Sequence, residues 1–123
     1  MADKPFVHTV HTTFHMHTTH EAIRDVVDRF KELRRALLKD EGMAILKVGL
    51  NTRRSRHPKS KSLKRVHMIQ IVAFNNQEAF ERFREHPIHL EIKEKLKYHA
   101  DWDSGDLDLT AAGFESLRAI QDL

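Results

Sequence analysis

The chain has no cysteine, no long apolar run and no leader-like start, and each absence excludes a class of protein. Without cysteine, neither disulfides, nor thiolate catalysis, nor a cysteine-based zinc site can form. No apolar stretch approaches the ~18 residues that a membrane-spanning helix needs, and residues 1–5 lack the pattern of a signal peptide. The 123 residues suffice for one domain with a buried core. We therefore expect a soluble, cytoplasmic protein without membrane contact.

Positive charge is concentrated in one segment, although the net charge of the whole chain is only +3. Residues 53–65 hold seven Lys and Arg side chains, a pattern that can bind polyanions but is more typical of a solvated loop. The segment has no aromatic residue on which a base could stack. The strand that follows has no glycine, and its sole aromatic, Phe74, lies at the far end, unlike the strand of an RNA-recognition motif. These absences argue against a nucleic-acid partner.

The apolar pattern predicts strands and helices in the order β-α-β-β-α-β, followed by one further helix. Runs of β-branched residues indicate strands, apolar residues at helical spacing indicate helices, and Thr18 with Glu21 fits a capping box. The predicted strands are Phe6–Phe14, Met43–Asn51, Val66–Phe74 and Asp106–Leu109. The first predicted helix begins after Thr18 and stops at Gly42. The others run from Gln77 to Glu85, from His89 to Tyr98, and onward from a cap at Thr110.

This order predicts an α+β, ferredoxin-like fold with four antiparallel strands and helices on one face. Residues 1–123 then form a single domain, with a core over 6–109 and a C-terminal helical extension over 110–123. One layer of helices leaves the other face of the sheet uncovered. We therefore expect a homodimer in which a second copy covers that face.

A histidine follows the proline that separates the two middle helices. Pro87 cannot continue a helix and biases His86 away from the α region. His89 is in register with Ile92 and Leu96, so it points toward the core-facing side of the next helix. An inward imidazole at this place could act as a base in a pocket, or it could be a capped histidine that only fixes the turn.

Two more histidines, His8 and His67, fall within the first and third strands, which are neighbours in a ferredoxin-like sheet. If both face the helices, they converge with His89, and one imidazole could take a proton while another polarises a substrate oxygen. The alternative is three unrelated histidines bonded to backbone carbonyls.

Metal binding is not predicted, although ten histidines invite it. His15 and His17 share a strand face, but no carboxylate accompanies the histidines of the strand, and no cysteine completes a familiar spacing. Four phenylalanines could instead line an apolar pocket or simply fill the core: Phe14, Phe30, Phe80 and Phe83.

Three segments together resemble the stress-responsive dimeric α+β-barrel (Dabb) family over about Phe6 to Leu109. They are Phe6-Val7-His8, Arg65-Val66-His67-Met68, and the stretch from Phe74 through the His-Pro-x-His turn to His89. The resemblance implies homodimers in which two sheets close into a barrel. Some members are stress-associated proteins without assigned chemistry, whereas a branch similar to olivetolic acid cyclase cyclises linear polyketides without cofactors. Related dimeric barrels are cofactor-free oxygenases of anthrone-like substrates.

The resemblance to the cyclase branch implies roles for single residues. His89 would be the general base, and His67 and His8 would be the other histidines of the pocket. The cyclases carry a tyrosine, paired with the base, where this chain has Phe83, so that hydroxyl is lost. We expect a cofactor-independent enzyme that catalyses aldol-type cyclisation of a polyketide or aromatic precursor. The alternatives are a non-catalytic stress-responsive dimer and a cofactor-free oxygenase. An enclosed cavity reached by His89 separates a catalyst from a scaffold.

Overall fold

The fold is known from a computed structural model that describes residues 4–53 and 65–121. The segment predicted as a basic loop, residues 53–65, lies outside the described residues except for its two ends. The elements follow in the order β1 (Phe6–Phe14), α1 (His20–Leu37), β2 (Met43–Arg53), β3 (Arg65–Phe74), α2 (Gln77–Glu85), α3 (Pro87–His99), β4 (Ala100–Asp108) and α4 (Ala111–Gln121).

The four strands form one antiparallel sheet in the order β2-β3-β1-β4, with β1 and β3 in the centre. Helices α1, α2 and α3 pack on one face of this sheet, which we call the helix-side face. Their buried side chains, such as Phe30, Phe83 and Ile92, meet Phe14 and Met68 of the strands in one core cluster. The predicted ferredoxin-like fold is confirmed.

Helix α1 begins one residue later than predicted and ends earlier. Thr19, not Thr18, is its N-cap, and the Thr19 hydroxyl accepts a hydrogen bond from Ala22 N at 3.1 Å. The Thr18 hydroxyl instead donates to the carbonyl of His99. The helix ends at Leu37, and Gly42 serves close packing: a Cβ at that position would lie 2.7 Å from Cβ of Ala79.

Helices α2 and α3 are joined by a sharp turn whose proline belongs to α3. The helix starts at Pro87 rather than at His89, because a proline at the first helical position lacks only an N–H that would have no partner there. The ring of His86 caps the helix, and its Nδ1 accepts a hydrogen bond from Ile88 N at 3.2 Å. The capping role therefore falls to His86, which frees His89 for other contacts.

Strand β4 is longer than predicted, since it starts at Ala100 rather than at Asp106. Its residues are largely polar and exposed, so its own composition gives little strand signal. It is an edge strand that is held by pairing with β1 along the full length of both, from Phe6–Asp108 to Phe14–Ala100.

Helix α4 lies on the opposite face of the sheet, which we call the outer face. Phe114 is buried there with Ala44 and Ala73, next to Val7 and Leu117. At the same end, Nη1 of Arg118 donates to three backbone carbonyls at 2.7–3.2 Å; they belong to Asp40, Glu41 and Met43. The C-terminal extension is therefore packed into the fold and covers part of the face that α1–α3 leave open.

Candidate active site

The strand histidines point to opposite faces of the sheet, because successive side chains of a strand alternate. His8 lies on the helix-side face, where its ring makes an edge contact with Phe80 at 5.2 Å. His67 neighbours Met68, which is buried in the helix-side core, so His67 faces outward. There its Nδ1 lies 2.8 Å from Nε2 of His11. The condition for convergence, that both strand histidines face the helices, is therefore met by His8 and not by His67 within one protomer.

A pocket of about 180 Å³ lies between the helix-side face and the helices α1–α3. Its apolar wall is made by Val10, Phe30, Phe80, Phe83, Ile92 and Leu96, with Trp102 of β4 beside them. Its polar lining is made by His8, Gln70, Arg84, His89, Lys93 and Ser104. Drug-sized ligands need roughly 300–1,000 Å³, so this pocket suits a molecule of about one ring.

His89 is oriented by the end of α2. Its Nδ1 lies 3.0 Å from the carbonyl oxygen of Arg84, and because a carbonyl only accepts, this nitrogen carries the proton. In the neutral ring, Nε2 then holds the lone pair. The ring also packs against Phe83, with centroids 4.5 Å apart. The backbone carbonyl of Arg84 and the ring of Phe83 therefore orient His89 in this chain, which lacks a tyrosine hydroxyl at position 83.

The surroundings of His89 favour its neutral form. Burial lowers its pKa below the usual value of 6.5, and the positive charges of Lys93, His8 and His86 lower it further, whereas the bond to Arg84 acts in the opposite direction. A neutral imidazole with a free lone pair is the form that accepts a proton.

His8 has a different partner. Its Nδ1 lies 2.6 Å from a carboxylate oxygen of Asp106, and an ionised carboxylate only accepts, so Nδ1 donates. Asp106 pairs directly with His8 across the β1–β4 ladder. This bond fixes Nδ1 of His8 as the donor and places the negative charge of Asp106 beside the ring.

Three of the four predicted phenylalanines line the pocket: Phe30, Phe80 and Phe83. Phe14 does not. It is 1% exposed and lies in the core at the end of β1, next to the row of Ala100. Phe14 does face the helices, but it lies at the C-terminal end of β1, outside the pocket.

Arg84 of α2 was not predicted as a site residue. Neither were five further polar or aromatic residues of the site: Gln70, Lys93, Trp102, Ser104 and Asp106. Gln70 carries a sequence signal, since it is the one polar residue in the apolar run Met68–Phe74 of β3. The other four depend on the extent of β4 or on the face of α3, and composition does not reveal either. Within residues 4–53 and 65–121, no group of three or more His, Asp or Glu could hold a metal ion.

Fold and pocket together define a class: a ferredoxin-like α+β protein with histidines in a small pocket between its sheet and its helices. The chain belongs to the Dabb family, described as the stress responsive A/B barrel domain, whose family model matches residues 6–110. The family resemblance seen in the sequence is confirmed. No curated protein matches the chain in a sequence search. Within the described residues, no helix has both the length and the apolar character to cross a membrane.

Three solved structures show the same fold at low sequence identity. A dimeric ferredoxin-like protein of unknown function from Bacteroides fragilis is 20% identical, with a TM-score of 0.57 over 85% of this chain and 96% of that one. The hydroxynitrile lyase of Passiflora edulis is 14% identical, with a TM-score of 0.63 over 89% and 96%. The cofactor-independent oxygenase SnoaB of Streptomyces nogalater is 14% identical, with a TM-score of 0.50 over 85% and 91%. At these identities the likeness concerns the fold alone.

Proposed function

We propose that this protein is a cofactor-independent enzyme that uses two histidines for acid/base chemistry on a small polyketide-type or aromatic precursor. One observation carries the proposal: two imidazoles line the same pocket but are bonded to partners of opposite character. His89 donates to a neutral backbone carbonyl and stays uncharged, whereas His8 donates to the carboxylate of Asp106. Two titratable groups of the same type in different environments are suited to opposite roles in proton transfer.

The chemistry that suits this pair is an aldol-type ring closure. A carbon flanked by two carbonyls loses its proton to Nε2 of His89, and the electrons of the C–H bond pass into an enolate. The enolate carbon forms a C–C bond with a further, more distant carbonyl carbon of the same chain; the C=O π electrons move to its oxygen, which becomes an alkoxide. Protonated His8 gives its Nε2 proton to that oxygen, and proton exchange with water then restores both rings.

The charge of the pocket supports an anionic intermediate. Among the described residues, its lining includes the cations Lys93 and Arg84 and no carboxylate. Arg84 is paired with Glu81 at 2.7 Å, whereas Lys93 makes no ion pair with a described residue. A fixed positive charge in a partly apolar site stabilises an enolate or alkoxide as it develops.

The dimer belongs to this proposal as well. The outer face exposes Ile69 and Ile71 of β3 by 47% and 41%, and Leu107 of β4 by 68%. The Bacteroides structure with this fold is described as dimeric. A second copy that packs its outer face on these residues would remove them from water, as the barrel of the family implies.

Proton abstraction can be tested without the natural substrate. Deuterium uptake at C2 of 1-phenylbutane-1,3-dione in D₂O, followed by NMR, reports the removal of a proton between two carbonyls. We expect catalysed exchange by the wild type and an about 10²–10⁴-fold loss in His89→Asn. Asparagine keeps a donor for the Arg84 carbonyl but has no basic nitrogen. His17→Ala removes an exposed histidine outside the pocket and should exchange like the wild type.

Ring closure and oxygenation are separated by a second measurement. A linear poly-β-ketone thioester should give a cyclised aldol product, which becomes aromatic by loss of water, without oxygen uptake. Oxygen consumption with an anthrone-like substrate would favour an oxygenase instead. Exchange equal to the uncatalysed rate, with neither product, would leave a non-catalytic dimer.

A further inference from the structure

Gln70 is the most unusual side chain of the helix-side face. It is a polar side chain that is only 4% exposed, and most of its neighbours on that face are apolar. Its side-chain amide makes no hydrogen bond with another described residue. The amide offers two donors and one acceptor oxygen. Among the described residues, neither of its polar atoms is a fully buried atom without a partner, so the amide is open to the pocket that it lines. A glutamine in such a place calls for a partner that is not part of the protomer's own core.

The position of Gln70 indicates where that partner would lie. Gln70 stands in the cross-strand row Val48–Gln70–Val10–Ser104. All members of this row except Val48 line the pocket. His8 is its diagonal neighbour, two residues along β1 from Val10. His89 lines the same pocket from α3. The amide is therefore within one small cavity with both histidines.

Thr12 provides an internal comparison. Its hydroxyl is also on the helix-side face, is 0% exposed and has no hydrogen-bond partner among the described residues. Unlike Gln70, Thr12 does not line the pocket. One unpartnered polar group is therefore sealed in the core, and the other borders a space that a ligand can enter.

We propose that Gln70 is a substrate-binding residue whose side-chain N–H donates a hydrogen bond to a carbonyl or enolate oxygen of the bound molecule. This inference rests on the proposed function and deepens it, since it specifies the ligand class: a compact, mainly apolar molecule that carries a carbonyl oxygen next to the carbon facing His89. The apolar wall holds the hydrocarbon part, and the amide selects for the oxygen. A site built to bond an oxygen discriminates strongly against the analogue that lacks it.

The test compares two probes and two variants. Acetophenone and ethylbenzene have nearly the same shape and differ by one carbonyl oxygen. Gln70→Met keeps the length of the side chain and removes both polar groups, and Thr12→Val does the same for the sealed hydroxyl. Dissociation constants for both probes come from NMR chemical-shift titrations, and melting temperatures come from calorimetry on the free proteins.

We expect Gln70→Met to bind acetophenone about tenfold more weakly and to bind ethylbenzene as the wild type does. We expect its melting temperature to stay level or rise, because the substitution breaks no hydrogen bond with another described residue. Thr12→Val should show the same thermal behaviour and unchanged binding of both probes. A lower melting temperature for Gln70→Met, an equal loss for both probes, or wild type that does not prefer acetophenone would overturn the proposal.

His89→Asn separates this inference from the proposed function. If His89→Asn exchanges deuterium like the wild type while Gln70→Met still loses acetophenone selectively, the acid/base role fails and the binding role of Gln70 stands. If His89→Asn loses exchange while Gln70→Met binds acetophenone normally, the enzyme stands and the role of Gln70 is overturned.

Discussion

The two faces of the sheet are built from the same strands but create different surroundings for the same residue type. On the helix-side face, His8 faces a pocket and meets the carboxylate of Asp106. On the outer face, His67 meets another imidazole, that of His11, beside exposed isoleucines. Because the side chains alternate along each strand, consecutive residues face either the pocket or the outer face. The helices, and not the histidines, make the difference, because α1–α3 enclose a pocket on the helix-side face.

The largest effect is expected when the two faces are compared through two variants, each of which removes one histidine from one face. His8→Ala should lower the catalysed deuterium exchange of 1-phenylbutane-1,3-dione by about 10²-fold or more, because the pocket loses its proton donor. His67→Ala should leave that rate unchanged, since His67 lies outside the pocket. Equal losses in both variants would mean that the outer face takes part in the chemistry.

The next effect concerns α4, which covers one end of the outer face. Phe114 is 1% exposed in the cluster with Ala44 and Ala73. Phe114→Ala should lower the free energy of unfolding by about 3–5 kcal/mol, because it removes a buried ring and leaves a cavity. Urea denaturation measures the change. Ile120→Ala, at a site in the same helix that is 54% exposed, is the control and should change stability little. A small effect of Phe114→Ala would mean that α4 does not contribute to the fold.

The open part of the outer face should respond to charge. Ile71→Lys places an ammonium where we propose that a second copy packs, and should weaken dimerisation by at least about tenfold. Leu90→Lys is the matched control, since Leu90 of α3 is 53% exposed on the helical exterior. Analytical ultracentrifugation over a dilution series distinguishes the two. A wild type that sediments as a monomer at all concentrations, or an Ile71→Lys dimer as tight as the wild type, would contradict the proposed interface.

The smallest effect is a shift in pH dependence on the helix-side face. The pKa of His89 is lowered by burial and by nearby positive charges, so the ring stays neutral, and able to accept a proton, below its usual value of 6.5. The exchange rate should therefore fall only at a pH below 6.5. Lys93→Met removes one of those charges, so it should raise the pKa of His89. The fall of the exchange rate on acidification, the acid limb of the profile, should then occur at a higher pH. A limb that moves downward or stays in place would show that Lys93 does not act on His89.

Much of the helix-side face could be predicted from the sequence. The spacing of His89 with Ile92 and Leu96 indicated an inward imidazole, and the structure places it in the pocket. The cap at Asn76 and the end of α2 before His86 also follow from local rules, because caps and prolines act on their immediate neighbours. Such features need no knowledge of the rest of the chain.

The phase of β3 could not be predicted in the same way. Apolar residues occur on both faces of this central strand, with Met68 and Val72 inward and Ile69 and Ile71 outward. A nearly continuous apolar run does not show which residues face the helices. The face of His67 was therefore left open by the sequence. Asp106 was missed for a related reason, since its place beside His8 depends on the register between β1 and β4, which are far apart in sequence.

The wall of the pocket also contains Trp102, the single tryptophan of the chain. Indole emission depends on solvation and on nearby quenching groups, so all tryptophan fluorescence of this protein originates beside the candidate site. The protein thus carries a built-in optical reporter, and unlabelled compound collections can be screened by emission alone. Candidate metabolites can be ranked in this way before any reaction is known.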